Sequence, residues 1–228
     1  MSPDLAGVER TPPQRSQAST PRPNITKALA IARLAAVIGF TLALGGCGQH
    51  AKDPVVVTKG HEKVAGQEVR GDGFSTRLPG DKEPERVVSQ RSAGGKPYEM
   101  TTYSVETTEG DFCEVMTGRW PFNLERTFLD ENGKPRPRVH GEPTFMDLIE
   151  GSADGAGGKV IMSRYTTLDG HPAVAGRLRV EKDGILLTGF TTAAVSQHRL
   201  FQVICAVTGE QTAAPADYTA ILKSTHLE

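Results

Sequence analysis

The sequence predicts an α+β fold, an antiparallel β-sheet meander packed with two or more helices. Three observations predict it. From Phe74 onward, short runs rich in β-branched and aromatic residues alternate with Gly-containing turn signals. Two segments carry apolar residues at helical spacing: Phe145, Leu148 and Ile149, then Tyr218, Ile221 and Leu222. The stretch from Gly73 to Glu228 shows no internal repeat and is long enough for one domain around one core.

The elements follow in order. Phe74 to Leu78 alternates and stops at Pro79-Gly80, a turn pair. Glu85 to Ser92 ends at Ala93-Gly94-Gly95-Lys96-Pro97. Tyr98 to Thr107 is closed by Glu109-Gly110-Asp111, and Phe112 to Trp120 returns. A polar segment, Asn123 to Glu142, reads as a loop; at that length inside a compact domain it is expected to be mobile or functional. Thr144 to Ala153 reads as a helix, with the glycines from Gly155 to Gly158 as its exit. Four strands follow: Lys159 to Leu168, His171 to Glu181, Ile185 to Val195 and Arg199 to Thr208. Asp169-Gly170 and Asp183-Gly184 between them are hairpin signals, because positive φ is easy there. Ala213 to Ser224 reads as a second helix with Pro215 in its first turn.

Composition narrows the function. The chain has 228 residues, 26 basic and 27 acidic, and 37% are hydrophobic. That balance argues against wholesale disorder and a multi-span membrane protein. The near-zero net charge argues against nucleic-acid binding, which needs a dense basic face. Three cysteines are too few for a disulfide-dense mini-domain.

The N-terminal part reads as targeting rather than fold. Residues Met1 to Asn24 are rich in Pro, Ser, Thr, Gln and Arg and lack apolar periodicity. Ala28 to Leu44 is apolar except for Arg33, and its unbroken stretch, Leu34 to Leu44, has the length of a signal-peptide h-region. Arg10, Arg15, Arg22, Lys27 and Arg33 place positive charge ahead of or within it. Leu44-Gly45-Gly46-Cys47 then resembles the lipobox of bacterial lipoproteins. The resemblance implies cleavage before Cys47 and attachment of acyl chains to it. Each buried methylene contributes about 0.8 kcal/mol, so two or three chains anchor a protein stably. The expected organisation is a signal peptide over 1–46, an acylated Cys47 with a flexible tether over 47–72, and a single domain over 73–228. The part from Cys47 onward has 21 basic and 25 acidic residues, a mildly acidic balance.

A second resemblance lies in the domain. It rests on the order of Phe74 with Leu78-Pro79-Gly80, the Tyr98 to Tyr103 strand, Arg119-Trp120-Pro121, Leu168-Asp169-Gly170-His171-Pro172, Arg199-Leu200-Phe201-Gln202-Val203, and a closing helix before Leu227. This order resembles PsbP-like exported domains. The resemblance implies an antiparallel sheet packed with helices and brings no catalytic motif; some members act as assembly or binding factors. The chain departs from the pattern at Thr225, where an aromatic is common, and in the loop Asn123 to Glu142.

Few residues point to chemistry. Alternation puts Cys113 on a face with Val115, and Cys205 on a face with Phe201, Val203 and Val207. Both point to core, either as a disulfide formed in an oxidising compartment or as two separate buried thiols. His50, His61, His140, His171, His198 and His226 show no metal-ligand spacing, so no metal and no cofactor are expected. Asp111 with Glu114, and Asp147 with Glu150, read as solvated faces rather than catalytic pairs. The serines lack a nucleophile-elbow frame. Arg119, Trp120, Phe122 and Phe128 form a cluster of the residue types common in binding hot spots, with core packing of Trp120 as the other reading.

The expected protein is a non-catalytic interaction or assembly module of the bacterial envelope. Its acyl chains on Cys47 hold it in the membrane, facing the periplasm or exterior, and its partner is an envelope protein that the sequence does not identify. The alternatives are a small-ligand binder with a pocket near Trp120, and an enzyme of unrecognised type.

Overall fold

The computed structural model describes residues 66–107 and 111–228. Cys47, the segments read as signal peptide, and the first part of the tether lie outside the described residues.

Among the described residues, ten strands and three helices form three layers. The first layer-forming unit is a small sheet of β1 (Gln67–Gly71), β2 (Phe74–Leu78) and β10 (His226–Leu227), in the order β1-β2-β10. The central sheet has seven strands. β3 (Glu85–Ala93), β4 (Lys96–Glu106) and β5 (Phe112–Arg119) form one meander; β6 (Gly158–Leu168), β7 (His171–Lys182), β8 (Ile185–Ser196) and β9 (Arg199–Thr208) form another. The order is β3-β4-β5-β9-β8-β7-β6, with every neighbour antiparallel. The two meanders meet at β5 and β9.

Turn chemistry sets the hairpins. Gly94-Gly95, Asp169-Gly170 and Asp183-Gly184 each hold two successive positive φ values, the type I′ geometry that suits the twist of paired strands. The two expected helices follow the apolar spacing and start later than the sequence suggests. α1 (Leu124–Phe128) lies inside the segment read as a loop, and Asn123 caps it by accepting from the Arg126 amide at 2.9 Å. α2 (Asp147–Gly155) is preceded by tighter turns at Thr144 and Phe145, where bonds run three residues ahead. α3 (Ala216–Ser224) starts after Pro215 rather than at Ala213. The physical reason is that proline forces its preceding residue, here Ala214, out of the helical region.

The inner strands β5, β8 and β9 of the central sheet are buried on both faces, while the edge strands β3 and β6 are largely exposed or half-buried. One face packs against α1, α2 and their connections through Met100, Met116, Leu178, Leu200 and Ile204. The other packs against β2 and α3 through Val115, Val203, Phe201, Phe74 and Ile221. This explains why β8 is buried at nine of its twelve positions instead of alternating. Thr76 fastens α3 to β2, donating to the Ile221 carbonyl at 3.2 Å and sharing a hydrogen bond with Thr225 at 3.0 Å.

Two segments differ from the sequence reading. The tether expected over 47–72 already contains β1, which pairs with β2 over five residues. Val69 is its one buried residue, so its sequence carries almost no strand signal. The segment Asn123 to Glu142 is folded over its first half: Leu124, Phe128 and Leu129 are buried, and Leu129 bridges to Pro135. Its many polar residues hide that apolar triplet.

Gly176 of β7 lies under α2, where a Cβ would collide with the Cγ2 of Ile149. Gly176→Ala is expected to lower stability by roughly 1–3 kcal/mol, as overpacking does. Denaturant unfolding of the two proteins checks this, and an unchanged midpoint would contradict the packing described.

Candidate functional site

Cys113 and Cys205 face each other across β5 and β9, with Cα atoms 4.1 Å apart and an S–S distance of 2.01 Å. The bond lies on the α3 side of the sheet, among Val115, Val203 and Phe201. It is structural: both sulfurs are buried and already spent on each other.

The aromatic cluster is mainly a packing centre. Trp120 is 2% exposed and stacks on Tyr98, with centroids 4.8 Å apart. Phe122 meets it edge-on at 5.4 Å. Phe128 is buried and stacks on Phe145 at 5.7 Å, while Arg119 is exposed at the end of β5. The Trp120 amide donates to the His198 carbonyl at 2.6 Å, and the Leu124 amide to Gln197 at 2.5 Å. The His198 ring nitrogen sits 3.2 Å from the Trp120 carbonyl. The β8–β9 turn thus clamps the start of the α1 segment. Trp120 and Phe128 have almost no surface to offer a partner; of the two readings of Trp120, core packing is the one the structure shows.

A groove with a volume of about 540 Å³ lies elsewhere among the described residues. One wall is Pro135 to Arg138, the second half of the long connection. The floor comes from Thr144, Met146 and Glu150 at the start of α2, and the far wall from the edge strand β6 with Val160 to Ser163 and Tyr165. Arg138 ties wall to floor, holding Asp147 at 2.6 Å and Glu150 at 3.2 Å. Asp147 in turn accepts from the Thr144 amide at 2.6 Å. Burial raises the Glu150 carboxyl above its ordinary range while Arg138 opposes the shift. The Thr144 hydroxyl is buried without a hydrogen-bond partner. The groove combines an apolar strip, Met146, Val160, Met162 and Tyr165, with one ionic cluster of Arg138, Asp147 and Glu150. The sequence signals for it are the unalternating Val160-Ile161-Met162 and the Pro-Arg repeats of 135–138.

Glu114 departs most from its sequence reading. It is 0% exposed, not on a solvated face, and neither carboxyl oxygen has a hydrogen-bond partner. It shares its face of the sheet with Ser104 and Ile204, its cross-strand partners. Close by, Gln202 donates to Ser152 at 2.7 Å and Thr191 at 3.0 Å, linking β9 to α2 and β8. Among the described residues, no group of three or more His, Cys, Asp or Glu is placed to hold a metal ion. Likewise, no described helix is long and apolar enough to cross a membrane.

No family model matches the chain, and no curated protein matches it. Three solved structures are similar at low scores. A protein of Bacteroides thetaiotaomicron VPI-5482 aligns at TM-score 0.40 and 7% identity, covering 72% of this chain and 48% of its own. The chain therefore spans about half the length of that structure. LpqN of Mycobacterium tuberculosis, involved in cell envelope biogenesis, aligns at 0.32 and 11%, covering 72% and 91%. PA94 of Pseudomonas aeruginosa, a protein of unknown function, aligns at 0.31 and 12%, covering 58% and 86%. At these scores the likenesses carry no argument about activity. What the structure itself defines is an α+β domain, mostly antiparallel sheet.

Burial pushes the Glu114 carboxyl up to about 8 from an ordinary 4.5. The folded protein keeps a proton that the unfolded chain releases, so this group favours folding most below pH 4.5. Its contribution falls as pH rises towards 8 and is flat beyond. Glu114→Gln is expected to remove that slope, a difference on the order of a few kcal/mol between pH 5 and 8. Denaturation midpoints across this range check it, and a slope that persists in the variant contradicts it.

Proposed function

We propose that this chain is a membrane-anchored lipoprotein of the bacterial envelope and acts as a non-catalytic interaction module. The apolar run ending in Leu44-Gly45-Gly46-Cys47 carries the anchoring part of this reading. Acyl chains on Cys47 hold the domain at the membrane, and the residues between Cys47 and β1 give it reach. The groove between Pro135–Arg138 and β6 is the working surface. Its apolar strip suits side chains of an envelope protein, and the Arg138 cluster fixes its shape beforehand. A PsbP-like relationship belongs to this reading, on the motif order from Phe74 to Leu227. A second reading is favoured by the groove's volume, which falls in the range of small-molecule sites. On that reading the module carries a small, largely apolar ligand there.

Labelled palmitate in the native host tests the anchor. Label on the wild type, lost in Cys47→Ala, with an intact mass beginning at Cys47, is the expected result. An unlabelled chain that retains residues 1–46 would overturn it. Native mass spectrometry of the purified chain separates the two groove readings. A bound small molecule, lost in Tyr165→Ala, favours the carrier.

A further inference from the structure

The central sheet ends on two edge strands that differ in kind. β6 carries a bulge between Val160 and Met162, and the Pro135–Arg138 wall stands beside it. β3 pairs with β4 through nine consecutive residues without a shift. Among the described residues, no backbone hydrogen bond joins the outer side of β3 to another segment. Native sheets blunt such an edge with a bulge, a proline or a central charge. β3 has Val87 and Val88 just before its midpoint, 48% and 41% exposed, with Glu85 and Arg86 on one side of them and Arg91 on the other.

We propose that β3 is a homodimer interface: two copies pair their β3 edges antiparallel about a two-fold axis at Val88, joining both sheets into one. Symmetry restricts the register. A two-fold axis normal to the sheet keeps the faces in common, so each residue meets one from the same face of the second copy. The axis then passes through a residue, and three choices keep the valines central. Centred on Val87, Glu85 meets Ser89 and Arg86 meets Val88. Centred on Ser89, Arg91 meets Val87 and Glu85 meets Ala93. Centred on Val88, Glu85 meets Arg91 on both sides of the axis, Arg86 meets Gln90, Val87 meets Ser89, and Val88 meets its own copy. Of the three, the last pairs opposite charges twice and apolar with apolar at the axis. Arg91 adds an independent observation, because its Nε is buried without a hydrogen-bond partner in the single chain. The second copy's Glu85 brings a carboxylate to that side of the strand. The surface is self-complementary, which is what a closed two-fold contact requires.

The test is cross-linking of the full chain in membranes of the native host. Val88→Cys, oxidised mildly, is expected to give a reducible species of twice the parent mass. The parent chain, and Ile161→Cys on the opposite edge, are expected to lack it. In the Val88→Cys background, Glu85→Arg or Arg91→Glu alone is expected to lose the band, and the two together to restore it. A band no stronger from Cys at 88 than at 161 overturns the interface. A double exchange no better than either single change overturns the register. Detection of the monomeric chain in the same membranes separates a missing interface from a missing anchor.

Discussion

The β5–β9 ladder is the constraint on which the rest of the domain depends. Each meander closes its own hairpins locally, but β5 and β9 are the strands through which the two halves of the sheet are joined. Eight residue pairs form this seam, from Phe112 opposite Ala206 to Arg119 opposite Arg199. The Cys113–Cys205 bond lies within it and closes a separation of 92 residues. In the chain-entropy model such a link removes roughly 4–5 kcal/mol of freedom from the unfolded chain. The seam also sets the layers, because its two faces receive α1 and α2 on one side and β2 and α3 on the other.

Burial on both faces has a cost that is visible at Glu114. A strand with one wet face would have placed that carboxyl in water. Here α-helical and loop segments cover the same face, and the carboxyl stays in the core in its protonated form. The neighbouring Gln202 solves the same problem differently, with two hydroxyl partners on β8 and α2. The groove lies outside this core, where the long connection leaves Phe128 and turns along β6. Its position follows from packing: Leu124, Phe128 and Leu129 anchor the connection, Leu129 bridges to Pro135, and Pro135 to Arg138 is thereby held as a wall.

Much of the fold was legible in the sequence, for local physical reasons. Asp-Gly and Gly-Gly pairs marked hairpins because few residues tolerate two positive φ values in a row. Phe145, Leu148 and Ile149 marked α2 because a helix presents that spacing to one side. β1 and β10 were not legible: one holds a single buried residue, the other is two residues long, and both exist through β2. The site was harder to read. Trp120 and Arg119 have the composition of a binding surface, yet the indole is consumed by Tyr98 and Phe122. The groove draws on three segments distant in sequence, and Glu114 takes its character from what covers it. Neither property resides in a local pattern.

Native-state hydrogen exchange in rising denaturant tests the central claim most directly, that one seam makes both meanders a single cooperative unit. The account predicts that the most protected amides of β4, β5, β8 and β9 share one opening free energy and one denaturant dependence. Loss of protection in β4 and β5 at a distinctly lower free energy, with β8 and β9 still closed, would contradict it.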